Sequence, residues 1–204
     1  MSDLISQVAQ QALQNSWLEL TAVLLGVAYL LLAMRENILC WYAAFVSTAI
    51  FLWVFWQVNL YMESGLQVFY LIMAVYGWYL WRNPKDHDQG TLPIRSWKAS
   101  THLLAIAAII VLSAASGYGL NTYTDAQLPY VDSLTTWGAI ITTFLVAFKV
   151  LENWIYWFVI DAISIYLYID RGLYFTALLF AAYVVIVVFG YLTWRKSYQQ
   201  QTAL

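Results

Sequence analysis

The 204-residue chain carries 9 Lys plus Arg and 11 Asp plus Glu, a net charge of −2 and a charged fraction of 10%, where a soluble domain has about 25%. Hydrophobic residues make up 63%, and Trp, Tyr and Phe number 11, 16 and 10. This balance excludes a disordered chain and a soluble globule, and the scattered basic residues offer no patch to a nucleic-acid backbone. The solvent it implies is lipid.

Residues 1–16 are polar, without Lys or Arg, and lack the basic and apolar regions of a signal peptide. Leu4, Ile5, Val8, Ala12 and Leu13 predict a short amphipathic helix lying on the membrane. Seven apolar runs follow, at roughly 17–34, 38–56, 62–81, 101–119, 132–148, 154–169 and 173–194. A span needs ~20 apolar residues and must satisfy its backbone internally, so each run predicts a transmembrane helix. The longest connection, Arg82 to Ser100, holds the breakers Pro84, Gly90 and Pro93. Strict alternation, the mark of an outer-membrane barrel, is absent.

Seven spans place the N-terminus and the even-numbered loops on one side, where Arg171 is the single basic residue. The other side holds Arg35, Arg82, Lys85, Arg95, Lys98, Lys149, Arg195 and Lys196. The positive-inside rule puts the N-terminus outside and the C-terminus in the cytoplasm.

An ungapped shift of 113 residues lays Glu19–Arg82 on Asp132–Arg195. It aligns Trp41 with Trp154, Tyr70 with Tyr183, Gly77 with Gly190, Trp81 with Trp194 and Arg82 with Arg195. Such a period marks an internal repeat. The expected architecture is all-α and integral to the membrane, with seven transmembrane helices in a 3+1+3 layout of parallel three-helix repeats, the arrangement of SWEET transporters. The organisation reads as an N-terminal amphipathic segment 1–16, a first three-helix repeat 17–81, a cytoplasmic loop 82–100, a linker helix 101–119, a second three-helix repeat 132–195 and a cytoplasmic tail 196–204.

An ionisable residue deep in a membrane is costly and marks function. Asp161 lies seven residues into the sixth span, about 10 Å deep at 1.5 Å per residue. Trp154, Trp157, Phe158 and Asp161 share one helical face, flanked by Asn153 and Ser164. An aromatic wall with one carboxylate suits a flat cation. The other reading is that the aromatics pack between helices and Asp161 bonds a neighbouring Ser, Thr or Tyr. On the third span Glu63, Gln67, Tyr70, Ala74, Gly77 and Trp81 form a second face. Gln67 is its best ligand candidate, and Ala74 with Gly77 suits close helix contact. Ser47, Thr48, Thr142 and Thr143 bond either ligand or backbone, the backbone by default. Glu36, Glu152 and Asp170 fall at loop edges and read as solvated charges. The one cysteine, Cys40, reads as a small packing residue.

Several chemistries lack their residues. There is no GxxxxGK[ST] and no GxSxG, and no span holds a deep His. No lysine sits mid-way along the seventh span to bind retinal. The chain is expected to be no enzyme, with no catalytic residue, metal site or cofactor.

The run Glu152-Asn153-Trp154-Ile155-Tyr156-Trp157, then Asp161 and Tyr166-Leu167-Tyr168-Ile169, resembles the PnuC family of bacterial vitamin transporters. So do Arg171 to Ala177, Arg35 to Trp41 and Tyr76 to Trp81. The likeness covers roughly Leu20 to Trp194. It implies multi-pass inner-membrane uptake proteins, homotrimeric, working by facilitated diffusion with a cytoplasmic kinase trapping the product. It implies a binding site of Trp154, Trp157 and Asp161 with Asn153, joined by Gln67, Tyr70 and Trp78 from the third span. Nicotinamide riboside members place a Gln where this chain has Thr143, and Thr142 to Phe148 look more like the thiamine branch. The expected cargo is thiamine, with nicotinamide riboside the alternative. A membrane receptor or assembly subunit that transports nothing is the alternative of another class.

Overall fold

The computed structural model describes residues 17–57, 61–83, 92–125, 128–170 and 174–203. The N-terminal amphipathic segment, His87, Arg171 and the side chain of Glu63 lie outside the described residues. Among the described residues seven helices are present: α1 (Trp17–Met34), α2 (Leu39–Gln57), α3 (Tyr61–Arg82), α4 (Ala99–Tyr123), α5 (Pro129–Ala147), α6 (Asn153–Asp170) and α7 (Tyr174–Thr202). Each predicted span coincides with one of them. By length and apolarity α1, α4, α5 and the stretch Thr176–Thr202 of α7 qualify as membrane spans, and Leu39–Val54 is a shorter apolar helix. α3 and α6 are less apolar because they carry Ser64 and Gln67, and Asn153, Asp161 and Ser164.

α7 runs on through the segment read as a tail. Lys196 to Gln201 contains no breaker, and the side-chain oxygen of Gln201 accepts a hydrogen bond from the Ile94 amide at 3.1 Å. The connection read as loop 82–100 is packed along its described part. Leu92 and Ile94 are buried, and Arg95 pairs with Val150 in an isolated parallel bridge. Ser96 Oγ and the Trp97 amide donate to the Glu152 carboxylate, and His102 Nε2 lies 3.6 Å from it. Residues 92–98 thus form a strap under the α5–α6 corner. Glu152 is the acceptor that anchors this strap, which corrects its reading as a solvated charge.

α1 packs on α2 and α2 on α3, while α5 packs on α6 and α6 on α7. Between these groups α1 meets α7 and α3 meets α5, while α4 packs on α5 and meets α6 through His102, whose ring lies 3.0 Å from the Tyr156 hydroxyl. Adding 113 to each residue number maps this contact pattern onto itself, apart from α4. The detail follows the same rule. Trp41 stacks edge-on to Trp81 with ring centroids 5.5 Å apart, and Trp154 on Trp194 at 5.4 Å. Each upper ring lies against a glycine: a Cβ on Gly77 would overlap Trp41, and one on Gly190 would come within 2.6 Å of Trp154. No larger residue permits that approach.

The third helix of each group reaches into the other. Trp81 Nε1 donates to Ala147 O at 3.2 Å, and Trp194 Nε1 to Ala33 O at 3.0 Å. The two indoles meet at 6.2 Å. These tryptophans join the largest core cluster, at the end of the bundle that carries Arg35, Arg82 and Arg195.

Candidate functional site

Asp161 sits at the middle of α6, only 4% exposed. A carboxylate buried at that depth needs a partner or a function. Its neighbours are tyrosines. Tyr183 of α7 lies within electrostatic range of Asp161, and Tyr168 of α6 within range of Tyr183 and Tyr70. Tyr70 in turn lies within range of Tyr29 on α1. Phe180 fills the gap between Tyr168 and Tyr183, with centroids at 4.9 and 5.4 Å. The Tyr183 hydroxyl reaches across to the first group: a Cβ on Gly26 would stand 3.4 Å from it and 3.7 Å from Ser47 Oγ. Ser47 Oγ donates to Ala22 O at 2.7 Å and ties α2 to α1 there. Helices α3, α6 and α7 therefore bring Tyr70, Tyr168 and Tyr183 in series to Asp161 near mid-bundle, and Tyr29 of α1, 6.2 Å from the Trp41 ring, joins this tier to the tryptophans. Flat rings with phenol edges stack on an aromatic ligand and bond its polar substituents, and the carboxylate favours a positive one.

Below this tier, toward the basic end, stand the four core tryptophans. Trp154 is 2% exposed, and its Nε1, like that of the equivalent Trp41, is buried with no hydrogen-bond partner among the described residues. A buried unpaired N–H costs about 1–3 kcal/mol, so two at matching positions call for an explanation. Beside this tier Lys149 Nζ bonds Glu36 Oε2 at 2.8 Å and lies 4.6 Å from the centre of the Trp81 ring. Glu36 is thus ion-paired, which corrects its reading as a solvated loop charge.

The other expected residues divide. Trp157 is half-buried against the tryptophan cluster, and Tyr70 belongs to the tyrosine tier. Gln67 is half-buried one turn along α3 from Tyr70. Asn153 is fully buried at the start of α6. Its amide donates to Val150 O at 2.7 Å, and its Oδ1 has no partner. Trp78 stands apart. Arg82 covers its ring at 5.1 Å, Tyr42 meets it edge-on at 6.4 Å, and it lines an apolar groove with Ile72, Val75, Tyr76 and Tyr79. No described contact joins Trp78 to Asp161. Thr143 Oγ1 donates to Ala139 O at 2.7 Å within its own helix, and Thr142 bonds Gly138 O likewise. Phe158 shares Asp161's predicted face yet is 43% exposed. Tyr29 and Tyr183 were not singled out by the sequence, although the alignment of Tyr70 with Tyr183 pointed to one of them, while Tyr168 stood in the run that resembles the family and Ser47 was read as bonding either ligand or backbone.

The family model described as nicotinamide mononucleotide transporter matches residues 16–196. The nicotinamide riboside transporter PnuC of Escherichia coli is 24% identical over 210 residues, covering 91% of this chain and 88% of that protein. The riboflavin/roseoflavin transporter RibM of Streptomyces davaonensis is 24% identical over 182 residues, covering 87% and 84%. The crystal structure of the vitamin B3 transporter PnuC shares the fold, with a TM-score of 0.73 and 21% identity over 97% of this chain and 90% of that one.

Proposed function

The chain belongs to the nicotinamide mononucleotide transporter family, a family of membrane vitamin transporters rather than enzymes, and from that premise we propose that it carries a nicotinamide nucleoside across the bacterial inner membrane. The observation that carries this reading is Asp161, buried at mid-span with Tyr183 in electrostatic range and Tyr168 and Tyr70 following it in series. The pyridinium ring of nicotinamide riboside is flat and positively charged, and such a ring is stabilised by aromatic faces and one counter-charge. Trp154 and Trp157 close the site toward the basic end, with the unspent Trp154 N–H as a donor to the ligand. Gln67 and Asn153 are polar contacts at its two ends, and Trp78 is an outer contact.

The sequence favoured thiamine because Thr143 stands where nicotinamide riboside members have Gln. The named relatives carry nicotinamide riboside and riboflavin instead, and the Thr143 hydroxyl is spent on its own helix. Thiamine, also flat and cationic, remains the second reading on the strength of that missing Gln.

The route runs between two parallel three-helix repeats, α1–α3 and α5–α7, linked by α4. The matched contacts at a spacing of 113 residues support this arrangement. The basic end faces the cytoplasm by the positive-inside rule. Transport is facilitated diffusion, with net uptake driven by a kinase that phosphorylates and traps the cargo. α4 leaves Leu103, Leu104, Ile110, Val111 and Tyr118 exposed, a face that suits contact between copies in a homotrimer.

The test is uptake of labelled nicotinamide riboside into vesicles holding the purified protein, with and without an enclosed nicotinamide riboside kinase and ATP. Saturable uptake that kinase deepens and excess thiamine leaves unchanged is expected. Uptake of thiamine alone would replace the cargo, and vitamin binding without any uptake would favour the receptor.

A further inference from the structure

Glu36 and Lys149 are 113 residues apart, so the repeat places them at equivalent positions. They are also bonded to each other at 2.8 Å. Two equivalent positions in contact mark the axis that relates the repeats. Trp81 and Trp194, another equivalent pair in contact, mark it again. Any route between the repeats runs along that axis and is shut where equivalents touch.

The backbone here carries a second signal. Glu36 and Lys149 both occupy the left-handed region, at φ 55° and 51°. Each follows the first helix of its repeat in the same terminal turn: the amides of Asn37 and Val150 bond Leu32 O and Leu145 O at 2.9 and 2.8 Å. Glycine is the usual residue at such a turn, because a side chain there is strained. A Glu and a Lys held in it at both equivalent sites indicate that their side chains are needed. Lys149 is 3% exposed, with its ammonium on the Glu36 carboxylate and over the Trp81 ring. A carboxylate and an aromatic face are also the two groups that receive a cationic cargo.

We propose that Glu36 and Lys149 latch the cytoplasmic gate, and that the Lys149 ammonium holds the exit by occupying the carboxylate and ring over which a cationic cargo leaves. The inference rests on the route between the repeats. Opening separates the pair and frees Glu36 and Trp81 for the passing cation, and closure returns Lys149 to them.

The chain's one cysteine reports on this latch. Cys40 is fully buried in the first turn of α2 and lies within electrostatic range of Lys149. The full-length protein in vesicles is treated with a membrane-impermeant cationic methanethiosulfonate from the basic side, and vitamin binding is followed in parallel by Trp fluorescence. Glu36→Gly and Lys149→Gly relieve the backbone while removing the pair, so folding is not the obstacle. Each is expected to raise Cys40 labelling at least about tenfold, since a buried pair is strongly coupled. The exchange Glu36→Lys with Lys149→Glu restores the attraction and is expected to return labelling to within about threefold of the wild type. Wild-type labelling in both glycine variants with vitamin binding intact overturns the latch, and so does an exchange variant as reactive as they are. The labelling pattern without vitamin binding in any form sinks the transport reading and leaves the latch.

Discussion

Exchanging Asp161 for Asn removes one charge from a 4% exposed position while keeping the side chain's shape. A pyridinium held about 4 Å from the carboxylate gains about 4 kcal/mol at an effective dielectric of ~20. Stripping water from both ions takes back part of that gain. A net loss of about 1.4–2.8 kcal/mol is expected, which weakens Kd about 10–100-fold. The control is the ligand's own charge. Reduced nicotinamide riboside has the same ribose and nearly the same ring but no positive charge, so its affinity should change by less than about threefold. Titration calorimetry of both forms against wild type and D161N in detergent measures the two ratios. Equal losses for the oxidised and reduced ligands would show that Asp161 acts through the fold, and no loss for the cation would remove it from the site.

Further expectations follow from the packing. Gly190→Ala and Gly77→Ala drive a methyl group into Trp154 and Trp41, an overpacking worth about 1–3 kcal/mol or more, and thermal unfolding in detergent should show both transitions lowered. Trp81→Phe and Trp194→Phe each lose one buried bond, to Ala147 O and Ala33 O, at about 0.5–1.5 kcal/mol. The two acceptors lie one residue out of register at the 113-residue spacing, so both melting shifts should fall in that range without being identical, and a shift absent from either would contradict its bond. Thr143→Ala surrenders a bond internal to α5, so vitamin affinity should move by less than about threefold, checked by fluorescence titration. Glu152→Gln weakens the anchor of the 92–98 strap and should speed proteolysis between Leu92 and Lys98 without altering vitamin affinity.

The helices were legible because lipid imposes one requirement on every span: a long apolar run with its backbone satisfied. The extension of α7 was not, since Arg195 to Gln201 is polar and hydropathy reads polarity as an ending. Asp161 stood out because acids are scarce. Tyr29, Tyr168 and Tyr183 did not, because 16 tyrosines and 11 tryptophans leave no contrast for a few that converge. The grouping of Phe158 with Asp161 shows the limit of helical spacing, since a face seven residues long turns from the interior to the exterior across its width. Thr143 shows another limit. A hydroxyl satisfied by the carbonyl four residues earlier looks the same in sequence as one aimed at a ligand. The Glu36–Lys149 pair was present in the alignment, as opposite charges at one aligned position, but pairing along an axis needs the fold to be seen.

The repeats agree and differ in different places, and the division follows function. Agreement falls on the frame: Trp41 with Trp154 and Gly77 with Gly190 make the same contacts twice, and Trp81 and Trp194 each bond a carbonyl of the other group, one residue out of register. Difference falls where chemistry is expected. Thr48 is the counterpart of Asp161, Thr142 of Tyr29, Cys40 of Asn153 and Glu36 of Lys149. A symmetric pocket on a two-fold axis offers a ligand two equivalent orientations, and an asymmetric vitamin with its charge on one ring gains nothing from the second. Placing the carboxylate in one repeat alone selects a single orientation. It also avoids two buried acids facing each other, which repel at close range. The same reasoning applies at the gate, where identical charges at both positions would repel and only a Glu opposite a Lys can close. Under the proposed function, loss of equivalence at these few positions is thus what two matched helix groups require in order to hold a cation at their centre and release it at one end.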